Sequence, residues 1–324
     1  MEISVIIPVR NRANLLIRTL NSIAGQTRLP DKLIIVDNGS TDDTVEKARH
    51  WASAHRDVPT ELLVETKPGA SAARNRGLSK VSLAEGSFVM FFDSDDIMHP
   101  DHIARITKAL ENRPETDLLY FDIALRDPDG WTTVKSTPGE DPLVRSHIFH
   151  STLSTQRYVA LASLVNRCGG WNDDLPRWND YELGLRLAVT ATSPLKLCGE
   201  PTVTVLPDEN SITGTCYSKD AATLRKALDY MRRTLAAESR TQDLRYLHAR
   251  RAILAALFAR EGAGDEAEIT LDEALEGAGS HDRAKVHLVY FVTRICGSGG
   301  AAVASVLLAP PRPKRPTRLN PKGK

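Results

Sequence analysis

The chain has 324 residues, 41% of them hydrophobic, which is enough for one large α/β domain and a smaller appendage. Its 42 Lys and Arg nearly balance 41 Asp and Glu, and the formal net charge of +1 argues against a nucleic-acid-binding protein. The four cysteines form no Cys-x-x-Cys pair, which argues against a zinc site. With scattered cysteines and no signal-peptide pattern, we expect a cytoplasmic protein.

Strand and helix patterns alternate through the first half of the chain. Short apolar runs predict strands at Ile3–Ile7, Leu33–Val36, Leu62–Val64 and Phe88–Phe92. Three helices are expected between them: one with an apolar face at Leu16, Leu20 and Ile23, one capped by Ser40 that ends near His55, and one capped by Ser71 that ends at Leu78. This alternation predicts an α/β fold with a mostly parallel sheet and helices on both faces.

The strand ends of this predicted sheet carry a recurring set of polar residues. Ligands of such sheets bind at the carboxyl ends of the strands. Four residues come just past those ends in the predicted pattern: Pro8, Asp37, Lys67 and Asp93. Their convergence is a stronger indication of a ligand site than any one of them.

The second half of the chain has a less regular pattern. It predicts a helix at Asp101–Leu110, a strand at Leu118–Ala124, a segment at Val159–Val165 that pairs with the sheet, a helix at Trp178–Ala188 and a strand at Pro201–Leu206. Residues 220–276 indicate two or three helices with solvated faces. We therefore divide the chain into an α/β domain at 1–218, a helical extension at 219–280, an apolar helix at 281–308 and a basic, Pro-rich, disordered tail at 309–324.

An acidic run follows the fourth predicted strand. Its sequence is Phe92-Asp93-Ser94-Asp95-Asp96. Crowded carboxylates at the edge of a core need a positive partner, and Asp93 and Asp95 could both reach one divalent cation. Mg²⁺ or Mn²⁺ held in this way can neutralise a diphosphate. A solvated acidic loop is the equally weighted alternative from spacing alone.

Three loops in the first part of the chain have a binding and a structural interpretation. In the run Ile6–Arg12, with Pro8, Val9 and Arg10, the main chain could lie against a planar base, or the run could be an ordinary turn with Asn11 as a helix cap. Asp37 could accept a hydrogen bond from a nucleobase, or it could cap the turn before Ser40.

The third loop, Lys67–Gly77, joins small residues to the cations Lys67 and Arg74 at a helix start. Glycine and alanine allow close approach, and a helix N-terminus favours a phosphate. The alternative is a small-residue helix packed on the sheet with exposed arginines. The loop is not a P-loop, because the Gly-Lys-Ser/Thr ending is missing.

The segment Trp178-Asn179-Asp180-Tyr181-Glu182 opens a later helix. Asn179 and Glu182 have the spacing of a capping box, and Asp180 would favour the helix dipole. The functional alternative makes Asp180 a general base that faces the metal site. Spacing alone favours the capping interpretation.

Taken in order, these blocks resemble the family 2 glycosyltransferases, which have the GT-A fold. The resemblance covers residues 3 to about 215 and is carried by four segments: Ser4–Val9, Val36–Asp42, Ala73–Gly77 and Phe92–Asp96. It implies that Pro8, Val9 and Asp37 contact the nucleoside and that Asp93-Ser94-Asp95 is the DXD motif, with Mn²⁺ or Mg²⁺ on Asp95 and Asp93 near the ribose or metal. Asp180 falls at the position of the family's general base.

The resemblance implies an inverting, metal-assisted transfer of a sugar from a nucleotide-diphosphate sugar, with a UDP-sugar the expected donor. The acceptor would be a hydroxyl of a glycan or of a lipid-linked molecule, as in polysaccharide biosynthesis.

Two departures from the family pattern stand out: Asn179 replaces a Glu, and Asp208-Glu209 stand where relatives often carry a His before Asn210–Thr213. They support the alternative of a degenerate, non-catalytic binding or scaffold protein. A sugar-nucleotidyltransferase is disfavoured, because the loop Pro8–Arg12 has no glycine.

The C-terminal part leaves several roles open. The helices of 220–276 could cover the acceptor site or form a homodimer. The apolar stretch 286–308, interrupted by Arg294 and Gly297–Gly300, is a poor transmembrane span. Together with the basic tail it suggests peripheral contact with the inner face of an anionic membrane. A last packed helix with a solvated tail is the equally weighted alternative.

Overall fold

A computed structural model gives the fold and describes residues 1–130, 132–136, 142–207, 216–297 and 300–308. The strands are β1 (Glu2–Val9), β2 (Lys32–Asp37), β3 (Thr60–Val64), β4 (Ser87–Phe91), β5 (Ile97–Met98), β6 (Leu118–Phe121), β7 (Ile123–Arg126), β8 (Thr132–Lys135), β9 (Tyr158–Leu161), β10 (Pro194–Leu197) and β11 (Val203–Val205). The tail at 309–324, and the Asp208–Thr213 segment of the second departure, lie outside the described residues.

The helices lie between the strands along the chain and follow the last of them. They are α1 (Ala13–Ala24), α2 (Thr44–Ala54), α3 (Ala70–Leu78), α4 (His102–Asn112), α5 (Leu143–His150), α6 (Ala162–Arg167), α7 (Asn179–Thr190), α8 (Ala221–Ala237), α9 (Leu244–Arg260), α10 (Gly264–Leu275), α11 (Ser280–Cys296) and α12 (Gly300–Leu307). Among the described residues, no helix is both long enough and apolar enough to cross a membrane.

The larger sheet has the strand order β10-β6-β9-β4-β1-β2-β3. All its pairings are parallel except those of β9, which lies antiparallel between β4 and β6. The smaller sheet has the order β5-β11-β7-β8. The predicted α/β architecture, a mostly parallel sheet flanked by helices with a helical C-terminal region, is thereby confirmed.

Two apolar clusters form the core on the two faces of the larger sheet. Alternation along β1 distributes its side chains between them, with Val5 and Ile7 in one cluster and Ile6 in the other. The cluster around Ile6 continues into α8 and α9, where it includes Leu228 and Leu254. The apolar core therefore runs across residue 218, and the domain boundaries remain sequence predictions.

The strand prediction at Leu118–Ala124 is wrong in one respect, because two strands in different sheets replace it. Asp122 separates β6 from β7, and its carboxylate oxygens lie 3.9 Å from Nη2 of Arg157 and 3.4 Å from Nζ of Lys196. This anchored residue turns the chain from the larger sheet to the smaller one. Of the predicted segment Val159–Val165, only the part up to Leu161 is a strand, and α6 follows.

Two predicted helix caps are also wrong. Helix α2 begins at Thr44, and the Ser40 hydroxyl instead accepts a hydrogen bond from the Asn11 backbone N–H at 3.0 Å. Helix α3 begins at Ala70 after Gly69, whose φ of 122° makes the turn, so that Ser71 lies inside the helix and is buried. These two cap predictions are wrong because a glycine and hydrogen bonds between loops determine where the helices begin.

Pro8 lies inside β1, where it pairs with Val36 of β2, and does not end the strand as predicted. On the other side of β1, strand β4 pairs with it only as far as Ile6 and Phe91. The Ile6 carbonyl accepts the last hydrogen bond on that side, from Phe92 N–H at 2.9 Å. The backbone of Pro8 faces the β4 side of the strand, beyond the end of this pairing. The N–H that proline lacks would therefore have no partner in β4.

Candidate active site

The carboxyl end of β4 carries three carboxylates with three different environments. The Asp93 carboxylate accepts hydrogen bonds from Arg74 Nη2 at 2.7 Å and from Gln156 Nε2 at 2.6 Å. An oxygen of Asp95 lies 3.8 Å from Nη1 of Arg12. Asp93 is thus fixed by two donors, and both carboxylates are partly accessible, with side-chain exposures of 32% for Asp93 and 24% for Asp95.

Asp96 is a buried structural group. Its oxygens accept hydrogen bonds from the Leu206 backbone N–H at 3.1 Å and from the Gln156 amide, and its carbonyl accepts one from Thr19 at 2.8 Å. Burial, together with the charges of Asp93 and Asp95, raises the pKa of Asp96 to about 8. Asp96 therefore joins the end of β4 to α1 and to the segment after β11.

The donor set at this edge suits a cation that takes only part of its coordination from the protein. The described residues contain no group of three or more His, Cys, Asp or Glu side chains arranged for a metal. Mg²⁺ characteristically binds through one or two carboxylates and completes its shell with substrate phosphates and water. Asp95 has an accessible carboxylate, and each oxygen of Asp93 has lone-pair capacity beyond its present bond. Asp93 and Asp95 therefore fit such an ion.

The loops after β1 and β2 are bound to each other beside these carboxylates. Asn11 has a φ of 52°, and its side-chain oxygen accepts a hydrogen bond from Thr41 N–H at 2.8 Å. Asp37, 4% exposed, accepts from the backbone N–H groups of Gly39 and Ser40. Its turn-capping interpretation is correct, whereas Asn11 bridges two loops and does not cap α1.

The remaining sequence-predicted binding residues differ in their exposure and in their partners. Lys67 is largely exposed and its Nζ lies 2.6 Å from an oxygen of Asp173, which raises the Lys67 pKa. Arg10 is exposed on the loop after β1, and Val9 and Ser94 are buried. Arg74, predicted alternatively as an exposed arginine, is buried and belongs to the site.

Asp180 lies in the first turn of α7, where an oxygen of its carboxylate accepts the Tyr181 backbone N–H at 2.8 Å. Burial raises the pKa of Asp180, while the charge of Arg74 opposes that change. Asp93 and Lys135 also act on it through their charges. A carboxylate with a raised pKa next to the β4 acids is suited to accept a proton from a bound hydroxyl.

The capping box predicted at this helix start is wrong. Trp178, with a φ of 61°, occupies the cap position, and the Asn179 side chain donates to the Leu175 carbonyl at 3.2 Å. Both oxygens of Glu182 accept from Arg186, at 2.8 and 2.6 Å. Because Glu182 is held by this bidentate pair, it does not reach back to the helix start.

Sequence reasoning missed four side chains at or near the site. Gln156 precedes β9 and joins Asp93 to Asp96, Trp171 lies against Arg74, Lys135 ends β8, and Arg250 comes from α9. The double glycine Gly169-Gly170 directly before Trp171 is a sequence signal that could have identified that residue. The other three belong to segments with no local motif, and only the tertiary fold assembles them.

Comparison with known proteins bears on this geometry. The sequence model described as glycosyl transferase family 2 matches residues 4–168, about half of the chain. A PGL/p-HBAD biosynthesis glycosyltransferase of Mycobacterium tuberculosis is 36% identical over 126 residues, which cover 38% of this chain and 47% of that protein. The uncharacterized glycosyltransferase YibD of Escherichia coli is 38% identical over 135 residues, 41% of this chain and 38% of that one. The chain thus aligns with less than half the length of these relatives.

Two solved structures share the fold. Staphylococcus aureus TarS 1-349 in complex with UDP-GlcNAc superposes with a TM-score of 0.60 at 17% identity, covering 86% of this chain and 93% of that one. The mannosyltransferase PcManGT from Pyrobaculum calidifontis, in complex with GDP-Man and Mn²⁺, gives a TM-score of 0.55 at 19% identity, covering 95% and 86%.

Proposed function

The chain belongs to glycosyl transferase family 2, and we propose that it moves a sugar from a nucleotide-diphosphate sugar to a hydroxyl of a glycan or lipid-linked acceptor. The expected donor is a UDP-sugar. Transfer proceeds with inversion at the anomeric carbon and needs no covalent glycosyl-enzyme. Mn²⁺ or Mg²⁺ is the expected cofactor.

One observation carries the proposal: Arg74 connects the metal-type carboxylates to the candidate base. Its guanidinium donates to Asp93 at 2.7 Å, and its charge opposes the raised pKa of Asp180. Asp95 follows Asp93 by two residues at the same strand end. Asp93, a candidate metal ligand, and Asp180, the candidate base, therefore share Arg74 as a neighbouring cation.

The residues divide between donor and acceptor. Asp37, Pro8 and Val9 lie at the ends of β2 and β1, where the nucleoside would bind. Arg10, Ser94 and Lys67 are further donor candidates, because each lies on a loop after a strand of the same sheet edge. When bound at Asp93 and Asp95, the metal ion would neutralise charge on the leaving diphosphate.

Asp180 acts on the acceptor. It accepts the proton of the acceptor hydroxyl while that oxygen attacks the anomeric carbon on the face opposite the leaving nucleotide. Burial keeps this carboxylate more basic than an ordinary Asp. The charge of Arg74 opposes this increase in pKa, since the guanidinium favours the charged form of the carboxylate.

The printed ligands of the structural relatives support nucleotide-sugar donors, UDP-GlcNAc for TarS and GDP-Man with Mn²⁺ for PcManGT. They leave the nucleotide of this protein's donor to be tested. Isothermal titration with UDP-, GDP- and dTDP-sugars, each with and without Mn²⁺, tests the proposal. Metal-dependent binding of one donor, lost in Asp95→Ala and kept in the exposed-turn control Asp129→Ala, is the expected result.

Absence of donor binding in folded protein would reject the transferase and favour the degenerate scaffold, for which Asn179 is the remaining argument within the described residues. Metal-dependent hydrolysis of the bound donor separates the two further, since a scaffold would bind without hydrolysis. Dynamic light scattering of the same samples tests the homodimer.

An exposed apolar stripe on α11 supports peripheral membrane contact and a lipid-linked acceptor. Leu288, Phe291 and Ile295 are 46%, 54% and 78% exposed. They recur at intervals of three and four residues, so they share one helix face. The tail that follows α12 has six basic residues and no acid: Arg312, Lys314, Arg315, Arg318, Lys322 and Lys324. Such a combination binds anionic lipid through burial and charge together. The protein would then work at the cytoplasmic face of a membrane.

A further inference from the structure

Arg250 reaches the candidate active site from the C-terminal helices. It belongs to α9, and its guanidinium carbon lies 5.2 Å from the ring centroid of Trp178 and 5.5 Å from that of Tyr181. These two aromatic residues flank Asp180 closely in sequence. The Nε atom of Arg250 is buried without a hydrogen-bond partner. The rings hold the guanidinium in place without neutralising it.

Lys135 brings a second cation to the same region from the end of β8. Its charge acts on Asp180, Arg157 and Arg250. Within the part of the chain that the structure describes, neither Lys135 nor Arg250 forms an ion pair with a carboxylate. By contrast, Nη2 of Arg157 lies 3.9 Å from Oδ1 of Asp122, and Nη2 of Arg74 lies 2.7 Å from Oδ1 of Asp93.

Two neighbouring cations that form no ion pair with a carboxylate repel each other in the unliganded protein, and the charge of Asp180 offsets this effect on Lys135 only in part. Desolvation and the repulsion between them both favour loss of a proton, and burial, with the charges of Arg157 and Arg250, lowers the pKa of Lys135 to about 8. A bound anion would remove this repulsion and could accept a hydrogen bond from the unpartnered Nε of Arg250. A phosphate or carboxylate suits the planar fork of Arg and the point charge of Lys.

We propose that Lys135 and Arg250 bind an anionic group, a phosphate or a carboxylate, on the acceptor. This inference rests on the proposed function, because it places the acceptor by reference to Asp180. The anion would anchor the acceptor so that its hydroxyl faces that carboxylate. Donor phosphates have their own cation, Arg74, at Asp93. Lys135 and Arg250 are thus residues that determine acceptor specificity.

Chemical protection tests the anion site without any need for transfer activity. Lys135 is acetylated with acetic anhydride at pH 8, and the rate is read by peptide mass spectrometry with inorganic phosphate, acetate, UDP or no addition. We expect phosphate or acetate to slow acetylation of Lys135 at least tenfold and to leave the exposed Lys108 unaffected. Arg250→Gln should abolish the protection, whereas the exposed control Arg232→Gln should keep it.

Paired acceptors then test the role in catalysis. An alkyl glycoside with and without a phosphate monoester, and the matching uronate, are compared in the full-length protein with the donor found by titration. Arg250→Gln should raise KM at least tenfold for the charged acceptor that wild type prefers. It should leave KM for the neutral glycoside and the donor affinity unchanged, and Arg232→Gln should change none of these.

Several outcomes would overturn the inference. They are acetylation of Lys135 unaffected by phosphate and acetate, protection by UDP equal to that by phosphate, or equal losses for charged and neutral acceptors. UDP protection would assign the cations to the donor. Protection by phosphate in a protein that binds no nucleotide sugar would retain the anion site and reject the transferase, so the two failures are distinguishable.

Discussion

Arg74 lies over the ring of Trp171, with its guanidinium carbon 4.3 Å from the ring centroid. Gly169 and Gly170, with φ values of 81° and 69°, turn the chain just before this tryptophan. A Cβ on Gly170 would stand 2.7 Å from the Asn75 side-chain oxygen, which accepts a hydrogen bond from Trp171 N–H. The double glycine therefore lets the loop approach α3 closely enough to place the ring against Arg74.

Replacing Arg74 by Lys should weaken both the protein and its donor site. Lys keeps the charge but has no planar group that can stack on Trp171 while it donates to Asp93. We expect a loss of about 1–2 kcal/mol in the free energy of unfolding, measured by urea denaturation, and at least tenfold weaker donor binding. The exposed neighbour Arg76→Lys should be silent, and equal stability of the two variants would contradict the role assigned to the stack.

Asp180→Asn should separate binding from chemistry. The amide cannot accept the acceptor proton, so kcat should fall by about 10²–10⁴. Donor affinity should stay within a factor of two, since Asp93 and Asp95 are unchanged. The measurement is radiometric transfer beside isothermal titration, with Asp174→Asn as a matched carboxylate control. Activity retained in Asp180→Asn would assign the base to another residue.

A pH dependence of stability is expected from His147. This buried side chain donates from Nε2 to the Tyr181 carbonyl at 2.7 Å and accepts the Leu153 N–H at Nδ1, which assigns the neutral tautomer. Burial lowers the pKa of His147 to about 4. Because the unfolded side chain titrates near 6.5, the unfolded state binds more protons below that pH, and stability falls as pH drops from about 6.5 to about 4.

Thermal unfolding of wild type and His147→Gln across this pH range measures the effect. The variant should be less stable at pH 7 because it loses the fitted ring, but its melting temperature should decline less steeply toward pH 4. The buried His102, whose pKa burial lowers to about 3, contributes with the same sign and remains in both proteins. Parallel curves for the two proteins would refute the assignment.

Gly184 should tolerate no side chain. A Cβ at this position in α7 would meet His147 Cε1 at 2.3 Å and the Leu153 carbonyl oxygen at 2.7 Å, and the backbone oxygen has little freedom to move. Gly184→Ala should destabilise the protein by about 3 kcal/mol. Gly264→Ala in α10 has nothing within 4 Å and serves as the control, neutral or slightly stabilising in the same chemical denaturation experiment.

The membrane proposal depends on charge and on the stripe of α11. Removing residues 309–324 deletes six cations, each contributing about 1 kcal/mol at an anionic surface. Sedimentation with phosphatidylglycerol vesicles should show strong binding of the full chain, weak binding of the truncated one, and intermediate binding of Phe291→Ser. Equal sedimentation of full and truncated chains would exclude the tail as a membrane contact.

The sequence predicted the carboxyl edge of the larger sheet well, because the information there is local. Buried parallel strands are short apolar runs, and Asp37 and Asp93 follow them directly. Helix starts were predicted less well, since Ser40 and Ser71 resemble caps while Asp43 and Gly69 occupy those positions. Local hydrogen-bonding capacity does not reveal which loop a hydroxyl will bind.

Part of the candidate site could not be predicted because it is assembled from segments that are distant in the sequence. Lys135, Gln156 and Arg250 come from a hairpin strand, a short turn and a C-terminal helix, and each has an ordinary local context. The role of these residues in the site depends on how far each is buried and on which charged groups lack a partner. Asp180 was identified only through the family resemblance, and its role remains a prediction.

The antiparallel β9 has a consequence for how the protein is made. This strand fills the space between β4 and β6 and is synthesised after both of them. Until residue 161 leaves the ribosome, the nascent sheet has two open edges that can pair with other chains. Translation therefore passes through an aggregation-prone interval of about 40 residues, roughly 2–8 s at ordinary elongation rates. Binding of a chaperone during that interval would protect the edges of β4 and β6 until β9 pairs with them.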